Sequence, residues 1–161
     1  MMCRKHIVLF FAMGAIFMME LCTIAYAADV LPNHTLTPGV TNPKVTQANI
    51  QKTICVPGYT KTIRPPTTYT NALKKKQIAQ YGYADESPAD YEEDHAIALT
   101  IGGHPRDPKN LWPEPIASAK KKDQLEVRLN KLVCSGKITL KTAQHDMAAD
   151  WIKAYNKYVK N

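Results

Sequence analysis

The chain has no Cys-x-x-Cys pair and no Gly-x-Ser-x-Gly elbow. The first absence removes zinc fingers and ribbons, which need closely spaced thiolates. The second leaves Ser87, Ser118 and Ser135 outside the setting of a hydrolase nucleophile. Internal repeats and low-complexity tracts are also missing, which excludes solenoids. Cysteine is scarce, with four in the chain.

What is there begins with an export signal. Arg4, Lys5 and His6 precede the apolar run Ile7 to Met19, and the small-x-small site Ala25-Tyr26-Ala27 follows it. Residues 1-27 are therefore expected to be removed. A membrane anchor is the alternative, but the run is short for a bilayer span of about 20 residues and Glu20 interrupts it. A lipoprotein site at Cys22 would need small residues where Met19-Glu20-Leu21 stand. The expected mature protein is periplasmic or secreted and has no stable membrane span.

Cleavage removes Cys3 and Cys22 and leaves Cys55 and Cys134. An even pair in an oxidising compartment is most simply a disulfide, with two buried free thiols as the alternative. The basic excess of +7 falls by one on loss of Arg4, Lys5 and Glu20. That excess suits a polyanionic partner such as nucleic acid or an anionic envelope surface.

Pro32, Pro38, Gly39 and Pro43 among Thr and Asn predict a flexible leader over 28-49. The remainder, 50-161, is long enough for one domain with a modest core. Cys55-Val56-Pro57-Gly58-Tyr59-Thr60 and then Ile63-Arg64-Pro65-Pro66 read as a turn followed by an extended edge. A helix is expected over Asn71 to Tyr81, with Thr70 as N-cap and Leu73, Ile78 and Tyr81 buried. Lys74-Lys75-Lys76 reads as a solvated face, with a phosphate-contacting patch as the alternative.

Asp94 to Ile101 is the expected first strand of a hairpin, Gly102 to Lys109 its turn, and Asn110 to Trp112 a second strand stopped by Pro113 and Pro115. Leu125, Leu129, Leu132 and Val133 fall at i, i+4, i+7 and i+8, which predicts a helix over Ile116 to Cys134. A last helix from about Thr139 to Tyr158 buries Ala143, Met147, Trp151, Tyr155 and Tyr158. The predicted class is α+β, a small single domain with a hairpin-plus-helix core and additional packing helices.

Chemistry concentrates in Tyr91-Glu92-Glu93-Asp94-His95, the Gly102-Gly103 turn and Asn110-Leu111-Trp112-Pro113-Glu114. Imidazole titrates near neutrality and suits a general base, whereas a carboxylate is a hard oxygen ligand. Neighbours on a regular strand point to opposite faces, so a site shared by Asp94 and His95 requires an irregularity there.

From about Glu92 to Asp123 the pattern resembles the HNH, or ββα-metal, endonucleases. A narrower likeness, to exported bacterial proteins of largely unassigned role with the Cys-x-Pro-Gly-Tyr-Thr and Asp-His/Asn-Leu-Trp-Pro blocks, covers most of the mature chain. The HNH resemblance implies Asp94 as metal ligand, His95 as general base and Asn110 as the brace of the loop. The family's third residue, a His or Asn, falls at Ser118 or Ala119, where neither stands. Asp123 and His104 are the substitutes expected to complete the metal site, with Glu93 and Glu114 as further candidates. A divalent cation is implied, Mg²⁺ first and Mn²⁺ or Zn²⁺ as alternatives. Arg64 and the Lys120-Lys121-Lys122 run are the expected phosphate contacts, since cations at a helix start oppose the helix dipole and add nothing to stability. Arg64 paired with Glu92 or Glu93 is the alternative.

The expected function is an exported, divalent-metal-dependent nuclease of low sequence specificity, acting on DNA ahead of RNA. The alternative is a catalytically inactive ββα scaffold that binds nucleic acid or an envelope partner.

Overall fold

A computed structural model describes Asp29 to Asn161. The expected signal, residues 1-27, lies outside the described residues. Four helices and a two-stranded antiparallel sheet are described: α1 (Tyr59–Ile63), α2 (Thr67–Tyr81), β1 (Tyr91–His95), β2 (Leu111–Pro115), α3 (Ile116–Cys134) and α4 (Leu140–Tyr155). The class is α+β. Helix α2 packs on both strands, α3 follows β2 without a linker, and α4 lies along α3.

The core forms where the apolar stripes of α3 and α4 meet. Leu125, Leu129 and Val133 of α3 face Ala143, Met147 and Trp151 of α4, and Ile97 and Ile101 close the cluster from the hairpin turn. Helix α4 stops at Tyr155 rather than Tyr158. The chain widens into a single π turn over Asn156–Lys160, where Arg128 Nε donates to Tyr158 O at 2.9 Å.

The hairpin differs from expectation in a way that has one cause. Strand β1 starts at Tyr91 and ends at His95, and Ala96 to Ile101 is buried coil closing in a 3₁₀ turn. Beyond His95 the Asn110 side chain replaces the partner strand: Oδ1 accepts from Ile97 N at 2.9 Å and Nδ2 donates to Ile97 O at 3.1 Å. Strand β2 in turn runs through Pro113 and Pro115. A two-stranded sheet has only edge strands, and there a missing N–H is tolerated.

Pro65 and Pro66 do not form an extended edge. They precede α2, which starts at Thr67, four residues before the expected Asn71. The pre-set φ of proline and its missing donor cost nothing at a helix start. Gln77 and Ile78 are the buried residues of α2, with Leu73 and Tyr81 half-buried. Lys74 is neither a solvated lysine nor a phosphate contact, because its Nζ donates to Pro88 O and Tyr91 O at 2.7 Å each.

Residues 29-49 are not a loose leader. Gly39 N donates to Lys109 O, Val40 N to Asn110 Oδ1, Asn42 N to Gly102 O and His104 N to Val40 O. Val45 enters the core, and Trp151 Nε1 donates to Val30 O at 2.9 Å. Prolines keep this stretch out of regular elements, yet its backbone groups find partners along the hairpin turn.

Cys55 and Cys134 form a disulfide, with Cα atoms 5.6 Å apart. It ties the chain before α1 to the end of α3. In the chain-entropy model closing 79 residues contributes about 4.5 kcal/mol. Among the described residues no helix is long and apolar enough to cross a membrane.

Candidate active site

Asn110 builds the site. It is buried and sits one residue before β2. Its Oδ1 accepts from Val40 N and Ile97 N, and its Nδ2 donates to Ile97 O and His104 O, all within 3.1 Å. Every hydrogen-bonding site of the amide is used, which pins both ends of the turn to one side chain. Gly103 admits no larger residue, since a Cβ there would lie 1.7 Å from Ile97 O.

His95 closes β1 where the strand ends, and this supplies the irregularity that an Asp-His site needs. The ring is only 3% exposed. Its Nε2 lies 3.2 Å from Pro105 O, and a carbonyl can only accept, so Nε2 carries the proton and Nδ1 the lone pair. Nδ1 stands 3.9 Å from Asp94 Oδ1. Burial pushes the imidazole below its usual range, against the raising effects of Asp94 and Pro105 O. At neutral pH the ring is a neutral base.

Asp94 faces a buried cation. Lys122, 1% exposed, donates from Nζ to Asp94 Oδ2 and to Glu126 Oε1, the latter at 2.7 Å, and stands 3.7 Å from Glu114 Oε2. Burial works against the charge on Asp94, but the ammonium holds its carboxyl well below the usual range. Burial likewise opposes charge on Lys122, and Asp94, Glu126 and Glu114 more than offset it. Half-buried Glu126 is raised to about 7 by loss of hydration, despite Lys122.

Glu114 lies opposite Glu92 across the sheet, and Glu92 and Asp94 share a face two residues apart. One oxygen from each of Glu92, Asp94 and Glu114 lies within 4.8 Å of the others. Burial and the neighbouring Asp94 push Glu114 up to about 9. Ser118 Oγ lies 3.1 Å from Glu114 Oε1 and 2.9 Å from Pro115 O. Glu114 Oε2 has no hydrogen-bond partner. The Lys122 ammonium at 3.7 Å is the cation nearest to it, and the three carboxylates offer hard oxygen donors of the kind a divalent cation takes.

The expected contributors separate accordingly. Arg64 is exposed, and its charge is felt at Glu92, His95 and Asp123. Lys120 is exposed. Lys121 is committed to an ion pair with Asp29 and lies over the Tyr155 ring at 5.1 Å. Lys122 is buried and makes no surface contact; its position on the stripe Ser118, Lys122, Leu125, Leu129 and its i, i+4 spacing to Glu126 carried that signal. His104 Nδ1 accepts from Arg106 N and Asp107 N and so caps the turn. Asp123 is exposed, its carboxyl raised by burial and by Asp94, and stands outside the three-carboxylate group. Glu114 is one of the further candidates that the sequence offers, whereas Glu92 enters the group only through the strand register.

Glu93 is a separate acid, half-buried as a residue but with both carboxylate oxygens shielded from solvent. Neither carboxylate oxygen has a hydrogen-bond partner, and burial raises it to about 8 against the pull of Lys74. Its folded value lies above its unfolded one, so the stability linked to it is complete in acid and is lost as pH rises through about 8. Melting temperature is expected to fall between about pH 5 and pH 9. Glu93→Gln should flatten that fall, gaining about 1–3 kcal/mol near pH 9 and almost nothing near pH 5. Parallel thermal melts of the two proteins across that range check this.

No protein family, curated protein or solved structure matches the chain.

Proposed function

We propose that the protein is an HNH-like nuclease that hydrolyses phosphodiester bonds of nucleic acid, DNA ahead of RNA, with low sequence specificity. The observation that carries the reading is the orientation of His95. Its protonated nitrogen is tied to Pro105 O, and its free nitrogen is turned toward Asp94 inside a turn braced by Asn110.

In this reading His95 Nδ1 takes the proton from the attacking water, and Pro105 O holds the ring as the imidazolium forms. Asn110 keeps the turn in place while the charge on the ring changes. Exposed Arg64, with Lys120 on α3, pairs with phosphate oxygens of the substrate. A divalent cation beside Asp94 would supply neutralisation of the charge developing on the phosphate. Export removes the protein from its own genome, which makes weak specificity tolerable.

The test is plasmid nicking by the purified protein in Mg²⁺ or Mn²⁺. Conversion of supercoiled to open-circular DNA, lost on adding a chelator, is expected. Absence of nicking with either metal overturns the reading. The second reading, an inactive scaffold, draws on Lys122, whose ammonium already occupies Asp94 Oδ2. DNA binding that weakens steeply with salt, without nicking, selects it.

A further inference from the structure

We propose that the outward face of α3 is a two-fold interface between two copies of this chain, in which Ile116 of each copy meets Val127 of the other and Lys120 meets Asp123. The inference goes beyond the nuclease reading and does not depend on it.

Spacing places the four residues on one stripe. Ile116, Lys120, Asp123 and Val127 stand at i, i+4, i+7 and i+11, all exposed, on the side of α3 opposite the buried row of Ser118, Lys122, Leu125 and Leu129. Helix α3 therefore presents a second ridge to solvent. Of the three large apolar side chains that stand exposed among the described residues, Ile116 and Val127 are two, each 52% exposed. Single exposed apolar residues are ordinary, but a pair at the two ends of one helical seam outlines a packing surface.

The order of the four decides the occupant. Read from either end, the stripe runs apolar, charged, charged, apolar, and its two charges have opposite sign. In a pair related by a two-fold axis, residue i meets j and j meets i. With the two helices antiparallel and the axis midway between Lys120 and Asp123, Ile116 falls on Val127 at both ends and two Lys-Asp pairs close between them. A parallel pair would set lysine against lysine and aspartate against aspartate. The stripe is complementary to itself in one direction only.

The surroundings provide room. Val127 borders a groove of about 460 Å³ with Lys120, Asp123, Gln124 and Val159, and Ile116 borders one of about 470 Å³ with Tyr91, Pro115 and Ala117. Each groove lies at one end of the stripe and receives the apolar side chain that the second copy brings. Neither Lys120 nor Asp123 has an ion-pair partner among the described residues. Pairing with Asp123 of the second copy leaves Lys120 donors for a phosphate, because an ammonium carries three. With about 16 Å of helix in contact, the interface is small, and a dissociation constant on the order of 10–100 µM is expected of such contacts.

Sedimentation equilibrium of the full mature protein between about 1 µM and 1 mM tests the interface without reference to catalysis. The mass is expected to rise from one copy to two across that range. Lys120→Asp and Asp123→Lys each set like charges against one another and should weaken association by about tenfold or more. An equimolar mixture of the two variants should associate as the wild type does, because each supplies the charge that the other needs. Ile116→Ser should also weaken association by about tenfold, through lost apolar contact at both ends of the seam. All three side chains are exposed, so the variants are expected to fold, and thermal melts check that they do. A protein that stays monomeric at the top of the range, a dimer indifferent to both charge reversals, or a mixture of the two variants that stays monomeric overturns the proposal.

Discussion

His95→Ala is expected to slow plasmid nicking by about 10²–10⁴-fold, the range for loss of a positioned general base. The substitution removes the only ring nitrogen turned toward Asp94. It also empties a buried volume and leaves Pro105 O without its donor, so stability falls as well. His95→Gln separates the two effects. A glutamine amide can still donate to Pro105 O but has no basic nitrogen, so it should lose the same activity with a smaller drop in melting temperature. Because burial lowers the imidazole's pKa, the wild-type rate should be level through neutral pH and fall only in acid. Initial rates of both variants beside thermal melts check this; nicking at wild-type rate in a folded His95→Gln protein overturns the role.

Lys122→Met is expected to destabilise the fold by about 3–5 kcal/mol at neutral pH, the usual cost of removing one partner from a buried ion pair. Methionine fills nearly the same volume, so the loss is electrostatic. Asp94 loses the ammonium that keeps it ionised, and Glu126 loses its counter-charge. The sign of the pH dependence follows. Asp94's carboxyl is held low in the wild type, so the stability that Lys122 confers is present above the ordinary carboxylate range and is lost in acid as the carboxyl protonates. The difference between Lys122→Met and wild type should therefore shrink as pH falls. Urea unfolding at two pH values measures it. Adding Asp94→Asn and Glu126→Gln to Lys122→Met should restore part of the loss, because the uncompensated charges go with the lysine. A destabilisation below about 1 kcal/mol would show the lysine to be dispensable.

Local information carried α3 from end to end. Its four-residue apolar spacing, the Pro115 before it and the Ser135-Gly136 after it are all readable within one window. The disulfide and the α+β class were legible for similar reasons, one from arithmetic on two cysteines and the other from alternating periods. The loose leader, the strand bounds and the role of Lys122 were misread for a shared reason. Each depends on a partner far away in the chain: Val40 on Asn110, Ile97 on Asn110, and Lys122 on Asp94.

The candidate site divides along the same line. Sequence by itself determined that an Asp-His pair, a two-glycine turn and an Asn would lie close together, because they are neighbours across one short hairpin. Tertiary structure decided the tautomer of His95 through Pro105, the turning of Glu114 into the cluster and the burial of Lys122. It also removed His104 and Asp123 from the carboxylate group. Side-chain burial and cross-strand register depend on which elements pack together, and no local period records that.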